Sequence, residues 1–160
     1  MSHHDTYLSW LNDAYAMEKE LEKVLQSHAD DAKDYPHMQA RIQEHQVLTR
    51  SHADRLKTVI ERNGGDTSTI KTGIAKIMGA LAGIPSEFTS DKLIKNTLAD
   101  YASENFEIAC YRSLIAAAES IGDVESIPVY KNIIREEEEM CSWLEEQLPT
   151  VTYEMMKKAA

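Results

Sequence analysis

A chain of 160 residues is long enough for one domain with a buried core, and a composition of 42% hydrophobic and 28% charged residues is typical of a folded protein rather than a disordered one. The formal net charge of -10 argues against nucleic acid and anionic membranes as partners, because both repel an acidic protein. No apolar run has the length of a membrane span and the N-terminus lacks the pattern of a secretory signal, so we expect a cytoplasmic protein without a membrane partner.

The scarcity of helix-breaking residues predicts an all-α fold, since only six Gly and four Pro interrupt the chain. In the first half, apolar residues at helical spacing predict one helix over residues 5–31 and a second over 36–63, which Pro36 opens and Gly64 closes. The turn between the two helices is short, so we expect them to pack against each other as an antiparallel hairpin.

The second half of the chain predicts another helical hairpin after a long connection. Residues 66–90 include an amphipathic stretch interrupted by three glycines, which indicates a short extra helix within a long crossover. A third helix is predicted over 91–121 and a fourth over 125–149. The expected architecture is an antiparallel four-helix bundle over residues 1–149 with a C-terminal tail over 150–160. The apolar side of the short crossover helix needs cover, which favours a homodimer.

Each of the four long helices carries a polar residue on its inward, apolar face. Burial of a carboxylate is costly unless it is paired, protonated or bound to a cation. The helical rise from the two hairpin turns places these polar groups within about one turn of a common level in the bundle. Five residues form this predicted layer: Glu18, His45, Glu104, Glu107 and Glu137.

Two kinds of chemistry would make such a layer stable. Carboxylates and imidazole bind divalent first-row metals, and four carboxylates neutralise two dications and leave coordination positions open for dioxygen or peroxide. Alternatively, the layer is metal-free and consists of buried Glu–His and Glu–Arg hydrogen bonds, with Arg112 as a partner. A single buried Glu would favour the metal-free layer, but all four helices contribute, so we favour two bound metals.

Four segments of the chain resemble a known family: NDAYAMEKELEKVL, DYPHMQARIQEHQ, ENFEIACYRSLIAAAESIGD and EEEEMCSWL. They are similar to the YciE/YciF family of bacterial stress-associated proteins, most closely to its YciE branch, and the resemblance covers nearly the whole chain. It implies a dimeric, ferritin-like four-helix bundle with a carboxylate-bridged di-iron or di-manganese centre. It also implies an association with osmotic, oxidative and general stress.

The resemblance further implies a ligand on each helix. The family's ligands fall on the five residues of the predicted layer, with Glu136 as an alternative to Glu137. One departure is Leu48, which stands where family members carry a Glu three residues after the histidine. His52 lies about two turns beyond His45, so we do not expect both imidazoles to bind one metal.

The function expected from these observations is that of a ferritin-like stress protein that oxidises Fe(II) or handles peroxide at two divalent metals, iron or manganese. The alternative is a metal-free dimeric helical scaffold whose site degenerated when Leu48 replaced a ligand. A DNA-coating iron-storage protein fits less well, because no basic cluster lies at either end of the chain.

Overall fold

The computed structural model describes residues 2–68 and 92–158, and these form four long helices. Helix α1 spans His3–Asp31, α2 spans Pro36–Arg62, α3 spans Lys92–Ile121 and α4 spans Ile127–Lys158. The described residues contain no β-strand, so the predicted all-α class is confirmed. The predicted crossover helix falls on residues that lie outside these ranges.

The helices pack as two hairpins. Side chains of α2 reach backbone carbonyls of α1 in opposite chain order, as expected of antiparallel helices: Gln39 Nε2 donates to the Ala29 carbonyl at 3.0 Å, and Gln46 Nε2 to the Glu22 carbonyl at 3.2 Å. Helix α4 packs along α3 after a short turn, α1 also lies against α3, and α2 lies against α4. None of these described helices is long and apolar enough to cross a membrane.

The helix ends follow from local capping chemistry. Helix α1 begins at His3 rather than at residue 5 because Ser2 and Asp5 form a capping box. The Asp5 N–H donates to the Ser2 hydroxyl at 3.1 Å, and the Ser2 N–H donates to the Asp5 carboxylate at 2.8 Å. Gly64 and Gly122 follow the ends of α2 and α3 with φ angles of +76° and +81°, which residues with a Cβ rarely adopt.

Helix α4 continues through Pro149, so the predicted helix end near this residue is wrong. Proline removes the hydrogen bond to the carbonyl four residues earlier, here that of Glu145, and both residues are exposed, so water can solvate this carbonyl. Beyond the proline, Val151 is only 1% exposed and packs in the same apolar cluster as Leu144. Burial of Val151 offsets the cost of the proline and keeps the last turns of α4 on the bundle.

The apolar core is divided into two clusters along the bundle. The first, which we call the Tyr7 cluster, includes Leu11, Leu56, Leu114 and Ile133. The second, the Leu25 cluster, includes Met38, Ile42, Met140 and Leu144. On α2, α3 and α4, buried polar residues lie between the two clusters: His45, Thr49, His52, Thr97, Asp100, Ser103, Glu104, Glu107 and Glu137. A polar layer thus separates two apolar halves of the bundle.

The Tyr7 hydroxyl connects several helices at one end of the bundle. It donates to the Asp123 carboxylate at 2.9 Å and lies 2.6 Å from the Tyr130 hydroxyl. The same carboxylate accepts hydrogen bonds from Asn63 Nδ2 at 3.0 Å and from Arg62 Nη2 at 3.2 Å. The N-terminal part of α1 is thereby joined to the end of α2 and to the turn between α3 and α4.

Replacement of Tyr7 by Phe is expected to lower the free energy of unfolding by about 1–2 kcal/mol, because the buried hydroxyl of Tyr130 loses a partner. The loss is measured by urea unfolding followed by circular dichroism. Tyr153→Phe is the matched control, since Tyr153 is 68% exposed and its substitution is expected to change stability by less than about 0.5 kcal/mol. Equal losses in the two variants would contradict this role of the Tyr7 hydroxyl.

Candidate metal centre

All five residues of the predicted layer are buried in the bundle. Glu18 and Glu137 are 0% exposed, His45 is 1% exposed, and Glu104 and Glu107 are each 2% exposed. Together they project from all four described helices, with the Glu104–Glu107 pair on α3 and one residue on each of the others. These ionisable side chains therefore occupy core positions, as the apolar spacing of the helices predicts.

Three of these residues form a compact group, which we call the His45 group: His45, Glu104 and Glu137. The Nε2 atom of His45 lies 3.1 Å from Glu104 Oε1 and 3.2 Å from Glu137 Oε2. One nitrogen or oxygen atom of each residue lies within 4.8 Å of the others. This spacing is close to that of ligands around one cation, whose bonds are about 2.0–2.2 Å long.

A second group, the His52 group, consists of Glu18, His52 and Glu137. The Nδ1 atom of His52 lies 2.7 Å from Glu137 Oε1 and 3.5 Å from Glu18 Oε2. His52 is 0% exposed, and the centre of its ring lies 6.5 Å from that of His45. Each imidazole thus belongs to a different group, as expected from the separation of the two histidines along α2.

Glu137 links the two groups because its carboxylate oxygens face different partners. Oε2 lies close to His45, and Oε1 lies close to His52. A carboxylate shared between neighbouring cations is the arrangement of di-metal carboxylate centres in helical bundles. The described residues thus provide two adjacent groups of cation size with one common carboxylate.

Several polar atoms of the two groups have no hydrogen-bond partner among the described residues. Three of these atoms lie close together without the geometry of hydrogen bonds: His52 Nδ1 is 2.7 Å from Glu137 Oε1 and 3.5 Å from Glu18 Oε2. A buried polar atom without a partner costs about 1–3 kcal/mol, so folded proteins normally avoid it. Nitrogen and oxygen atoms that converge in this way fit a divalent first-row cation. The unpaired atoms are Glu18 Oε2, His45 Nδ1, His52 Nδ1, Glu104 Oε2 and both carboxylate oxygens of Glu137.

The protonation states in the layer follow from burial and mutual contact. Burial alone lowers the pKa of His52, but contact with Glu137 and Glu18 outweighs burial and raises this pKa to about 9. Burial opposes ionisation of Glu137, yet contacts with Glu104, His45 and His52 hold its pKa well below the usual value. Burial, followed by the charge of Glu137, raises the pKa of Glu104 well above its usual value. Contacts within the layer thus favour the protonated form of His52 and the ionised form of Glu137, whereas burial favours the protonated form of Glu104.

Glu107 lies beside the two groups, but among the described residues it belongs to neither of them. It follows Glu104 by three residues on α3, so both side chains lie on one face of the helix. Burial, then the charges of Glu137 and Glu104, raise the pKa of Glu107 well above the usual value of a carboxyl group. Its role as a metal ligand stays a prediction.

Two ligand candidates are oriented by partners outside the groups. The buried Tyr111 hydroxyl donates to Glu18 Oε1, which leaves Oε2 facing His52. On the other side, His52 Nε2 lies 2.8 Å from Glu136 Oε2, and Arg55 Nη2 donates to the same oxygen at 2.5 Å. A carboxylate behind a metal-binding histidine fixes its tautomer, here with Nδ1 directed at Glu18 and Glu137.

His52 is the member of the two groups that the predicted ligand set lacks. The apolar spacing of α2 correctly places His52 on the inward face. Because His52 lies about two turns from His45, however, the spacing does not indicate that the two imidazoles belong to adjacent groups. Of the two neighbouring acids on α4, only Glu137 belongs to the groups, because Glu136 contacts His52 from the outer side.

Two other residues named from the sequence lie away from the groups. Leu48 is half-buried on α2, between the two histidines in chain order. The Arg112 side chain is exposed, and its Nη2 atom lies 3.1 Å from Glu138 Oε1 at the surface. The expected pairing of Arg112 with the buried acids in a metal-free layer is therefore wrong.

Solved structures show the fold class of this bundle. The protein XCC3681 of Xanthomonas campestris pv. campestris is 28% identical, with a TM-score of 0.84 over 99% of this chain and 99% of that chain. A bacterioferritin of Desulfovibrio desulfuricans, described with a diiron site in different catalytic states, is 20% identical, with a TM-score of 0.75 over 96% of this chain and 85% of that chain. YcfI of Rhodopseudomonas palustris is 23% identical, with a TM-score of 0.69 over 91% of this chain and 94% of that chain. The fold is a ferritin-like four-helix bundle, as the resemblance implied.

A family model also matches nearly the whole chain. The family described as "Domain of unknown function (DUF892)" matches residues 2–157, and the chain belongs to this family. The match includes the four described helices except Lys158 at the end of α4, and it includes every residue of the His45 and His52 groups.

Proposed function

We propose that this chain is a ferritin-like, stress-associated protein, close to the YciE/YciF proteins, that binds two divalent cations of iron or manganese at the centre of the bundle. The observation that carries the proposal is the pair of buried ligand groups, each with one imidazole, that share Glu137. The bacterioferritin of similar fold has a diiron site, which supports iron as a candidate. Bound iron or manganese would supply redox chemistry, which we assign to oxidation of Fe(II) or reduction of peroxide.

The residues of the layer match the charge of two such cations. Two dications bring four positive charges, and four ionised carboxylates balance them. In this proposal His45 and His52 each provide one terminal nitrogen ligand. A cation at His52 competes with the proton that this residue otherwise carries, so loading is expected to release protons. The four carboxylates are those of Glu18, Glu104, Glu107 and Glu137.

The side chains around the layer exclude bulk water, which redox chemistry at a metal centre requires. The ligand candidates are at most 2% exposed, so side chains of the bundle exclude solvent from them. Burial raises the pKa of Tyr111 well above its usual value, so its hydroxyl keeps its proton and remains a donor to Glu18. The Glu136 carboxylate, which is paired with Arg55, contacts Nε2 of His52 and so fixes the orientation of the imidazole ring.

Metal titration tests the proposal. The protein is freed of metal by a chelator and dialysed anaerobically against Fe(II) or Mn(II), and the metal bound per chain is counted by plasma mass spectrometry. We expect about two cations per chain. We also expect the free energy of unfolding to rise by about 2.7 kcal/mol when free cation is about 100 times the dissociation constant. Wild-type protein that retains no metal and gains no stability from Fe(II) would overturn the proposal.

A metal-free helical scaffold is the second candidate, and one observation favours it. Burial lowers the pKa of His52, but contact with Glu137 and Glu18 raises it to about 9, so a protonated His52 compensates the charge of Glu137 without a cation. In such a scaffold the polar layer would select one bundle geometry rather than bind a ligand. NMR of the His52 ring distinguishes the two candidates: added Zn(II) displaces its proton only if the groups bind metal.

Leu48→Glu is expected to raise the affinity for Co(II) by about tenfold, because it returns a carboxylate to α2 where the resemblance places a ligand. The affinity is measured from the visible absorption of bound Co(II). Val47→Glu is the matched control, since Val47 is 61% exposed and a carboxylate there would remain in solvent. If both variants bind Co(II) as the wild type does, Leu48 does not mark a lost ligand.

The homodimer and the cytoplasmic location expected from the sequence belong to the same proposal. Light scattering of the purified protein at several concentrations would give its mass in solution. A mass of one chain at all concentrations would contradict the homodimer, and it would leave the metal centre untouched, because both ligand groups lie within one chain.

A further inference from the structure

A buried centre needs a route for the cation that enters it. The ligand candidates are at most 2% exposed, so a hydrated cation reaches them only past the side chains that cover the layer. The described residues include two polar connections that lead outward from the groups. One runs from His52 to Glu136 and Arg55, and the other runs along α3 from Glu104 to Asp100.

The connection through His52 is unfavourable for a cation. Arg55 Nη2 lies 2.5 Å from the Glu136 carboxylate, and the same oxygen is 2.8 Å from His52 Nε2. The guanidinium carries a permanent positive charge at the outer end of this connection. It neutralises Glu136 and repels an approaching dication over a distance of a few ångströms.

The connection along α3 carries the opposite charge. Asp100 precedes Glu104 by four residues, which places both carboxyls on one helix face, and its side chain is only 4% exposed. Ser103 precedes Glu104 directly and is 6% exposed. Asp100 Oδ2 and Ser103 Oγ have no hydrogen-bond partner among the described residues. Both oxygens are therefore free to replace water around a cation.

His28 covers the outer side of Asp100. Its Nδ1 atom lies 2.6 Å from Asp100 Oδ1, and its side chain is 13% exposed near the end of α1. The lysines that precede Asp100 on α3 are turned to solvent: Lys92 is paired with Asp31 at 3.1 Å on the surface, and Lys95 is exposed. A series of imidazole, hydroxyl and carboxyl groups thus leads from the surface at His28 to Glu104.

We propose that Asp100, Ser103 and His28 form a transit site that receives a divalent first-row cation from solvent and passes it to the His45 group. The inference rests on the proposed function, because it needs a centre that binds the cation. At the transit site, the Asp100 carboxylate and the Ser103 hydroxyl replace part of the hydration shell of the cation. Glu104, one turn farther along α3, then takes the cation as a ligand.

The loading kinetics of Asp100→Asn protein test the transit site. Metal-free protein is mixed with Co(II) in a stopped-flow instrument, and release of Co(II) into excess EDTA is followed separately. A transit site lowers the barrier in both directions. The variant is therefore expected to load and release Co(II) at least about tenfold more slowly than the wild type, with an unchanged dissociation constant. Ser103→Ala is expected to slow both steps by about threefold.

Asp30→Asn is the matched control, because Asp30 is an exposed carboxylate near the end of α1 and its loss changes the net charge equally. Its loading rate is expected to equal that of the wild type at about 0.15 M salt, where distant surface charges are screened. Wild-type loading by Asp100→Asn would overturn the transit site, and so would a loss of equilibrium affinity as large as the loss of rate.

Two further readouts separate the causes of failure. Wild-type protein that binds no Co(II) at equilibrium would overturn the proposed function and the transit site together, whereas normal binding with unchanged variant kinetics would overturn the transit site alone. If Asp100→Asn does not fold, as judged by circular dichroism, Ser103→Ala and His28→Gln decide the matter, since wild-type loading and release in both would also overturn the transit site.

Discussion

Glu137→Gln protein is expected to lose both bound cations at metal concentrations that load the wild type fully. Glu137 directs one oxygen at the His45 group and the other at the His52 group, so one substitution weakens both. The amide of Gln carries no negative charge and offers a single oxygen as a ligand. We expect the affinity for both cations to fall at least about 100-fold, or about 2.7 kcal/mol, as measured by equilibrium dialysis against Mn(II).

Variants of a single group provide the comparison for this experiment. Glu18→Gln changes only the His52 group and Glu104→Gln only the His45 group, so each is expected to retain about one cation per chain. Glu138→Gln is the matched control, since Glu138 is an exposed neighbour paired with Arg112 at 3.1 Å. One tightly bound cation in Glu137→Gln protein would mean that the two groups do not depend on a common carboxylate.

The metal-free protein is expected to lose stability as the pH rises from about 6 to about 9. Burial lowers the pKa of His52, but contact with Glu137 and Glu18 raises it from 6.5 to about 9 in the folded state. A group whose pKa rises on folding stabilises the fold fully below its unfolded pKa, and this contribution is lost as the pH rises through the folded pKa. The shift of His52 corresponds to about 3 kcal/mol.

The buried carboxyls change this pH profile in opposite directions. Burial raises the pKa values of Glu104 and Glu107, so their contribution is also greatest in acid and is lost as the pH rises above 4.5. Contacts lower the pKa of Glu137 despite its burial, so its contribution is present above 4.5 and is lost as the pH falls through the folded pKa. The metal-free protein is therefore expected to be most stable near pH 4.5, because the contributions of Glu104 and Glu107 decline above this pH and that of Glu137 declines below it.

A bound cation is expected to reverse this trend, because it competes with protons for the same atoms. Urea unfolding at about pH 5.5, 7 and 9 should give a falling free energy of unfolding in EDTA and the largest gain from Mn(II) at the highest pH. His52→Gln is expected to flatten the decline in EDTA between pH 6.5 and about 9. If the metal-free wild type instead became more stable across this range, the charge assignment of the layer would be wrong.

The helices could be predicted because each follows from a local pattern of apolar spacing, and their ends at Gly64 and Gly122 follow from backbone chemistry that is equally local. Two helix ends, the start of α1 and the end of α4, could not be predicted from local patterns. Pro149 lowers the local stability of the helix, but burial of Val151 keeps α4 helical beyond it. This burial depends on residues that are distant in the sequence, so the local pattern does not predict it. The start of α1 depends on a capping box at Ser2, which lies three residues before the predicted start of the helix.

The polar layer could also be predicted, since Glu18 and Glu137 interrupt apolar faces at matching levels. The sorting of its members into two groups could not, because helical spacing specifies the level of a side chain and not the direction of its terminal atoms. His45 and His52 both approach Glu137 from α2, one at each oxygen, although they are about two turns apart. Nothing in the spacing of Asp100 and Ser103 reveals that their oxygens lack partners among the described residues.

The interruption of the core by the polar layer also bears on how the bundle unfolds. The Tyr7 cluster and the Leu25 cluster bury their apolar surfaces separately, so each end of the bundle has its own source of stability. One end can therefore open while the other stays packed, which amide hydrogen exchange would register as two sets of protection factors. A cation held by side chains from every described helix would couple the two ends, and exchange would then report one cooperative unit.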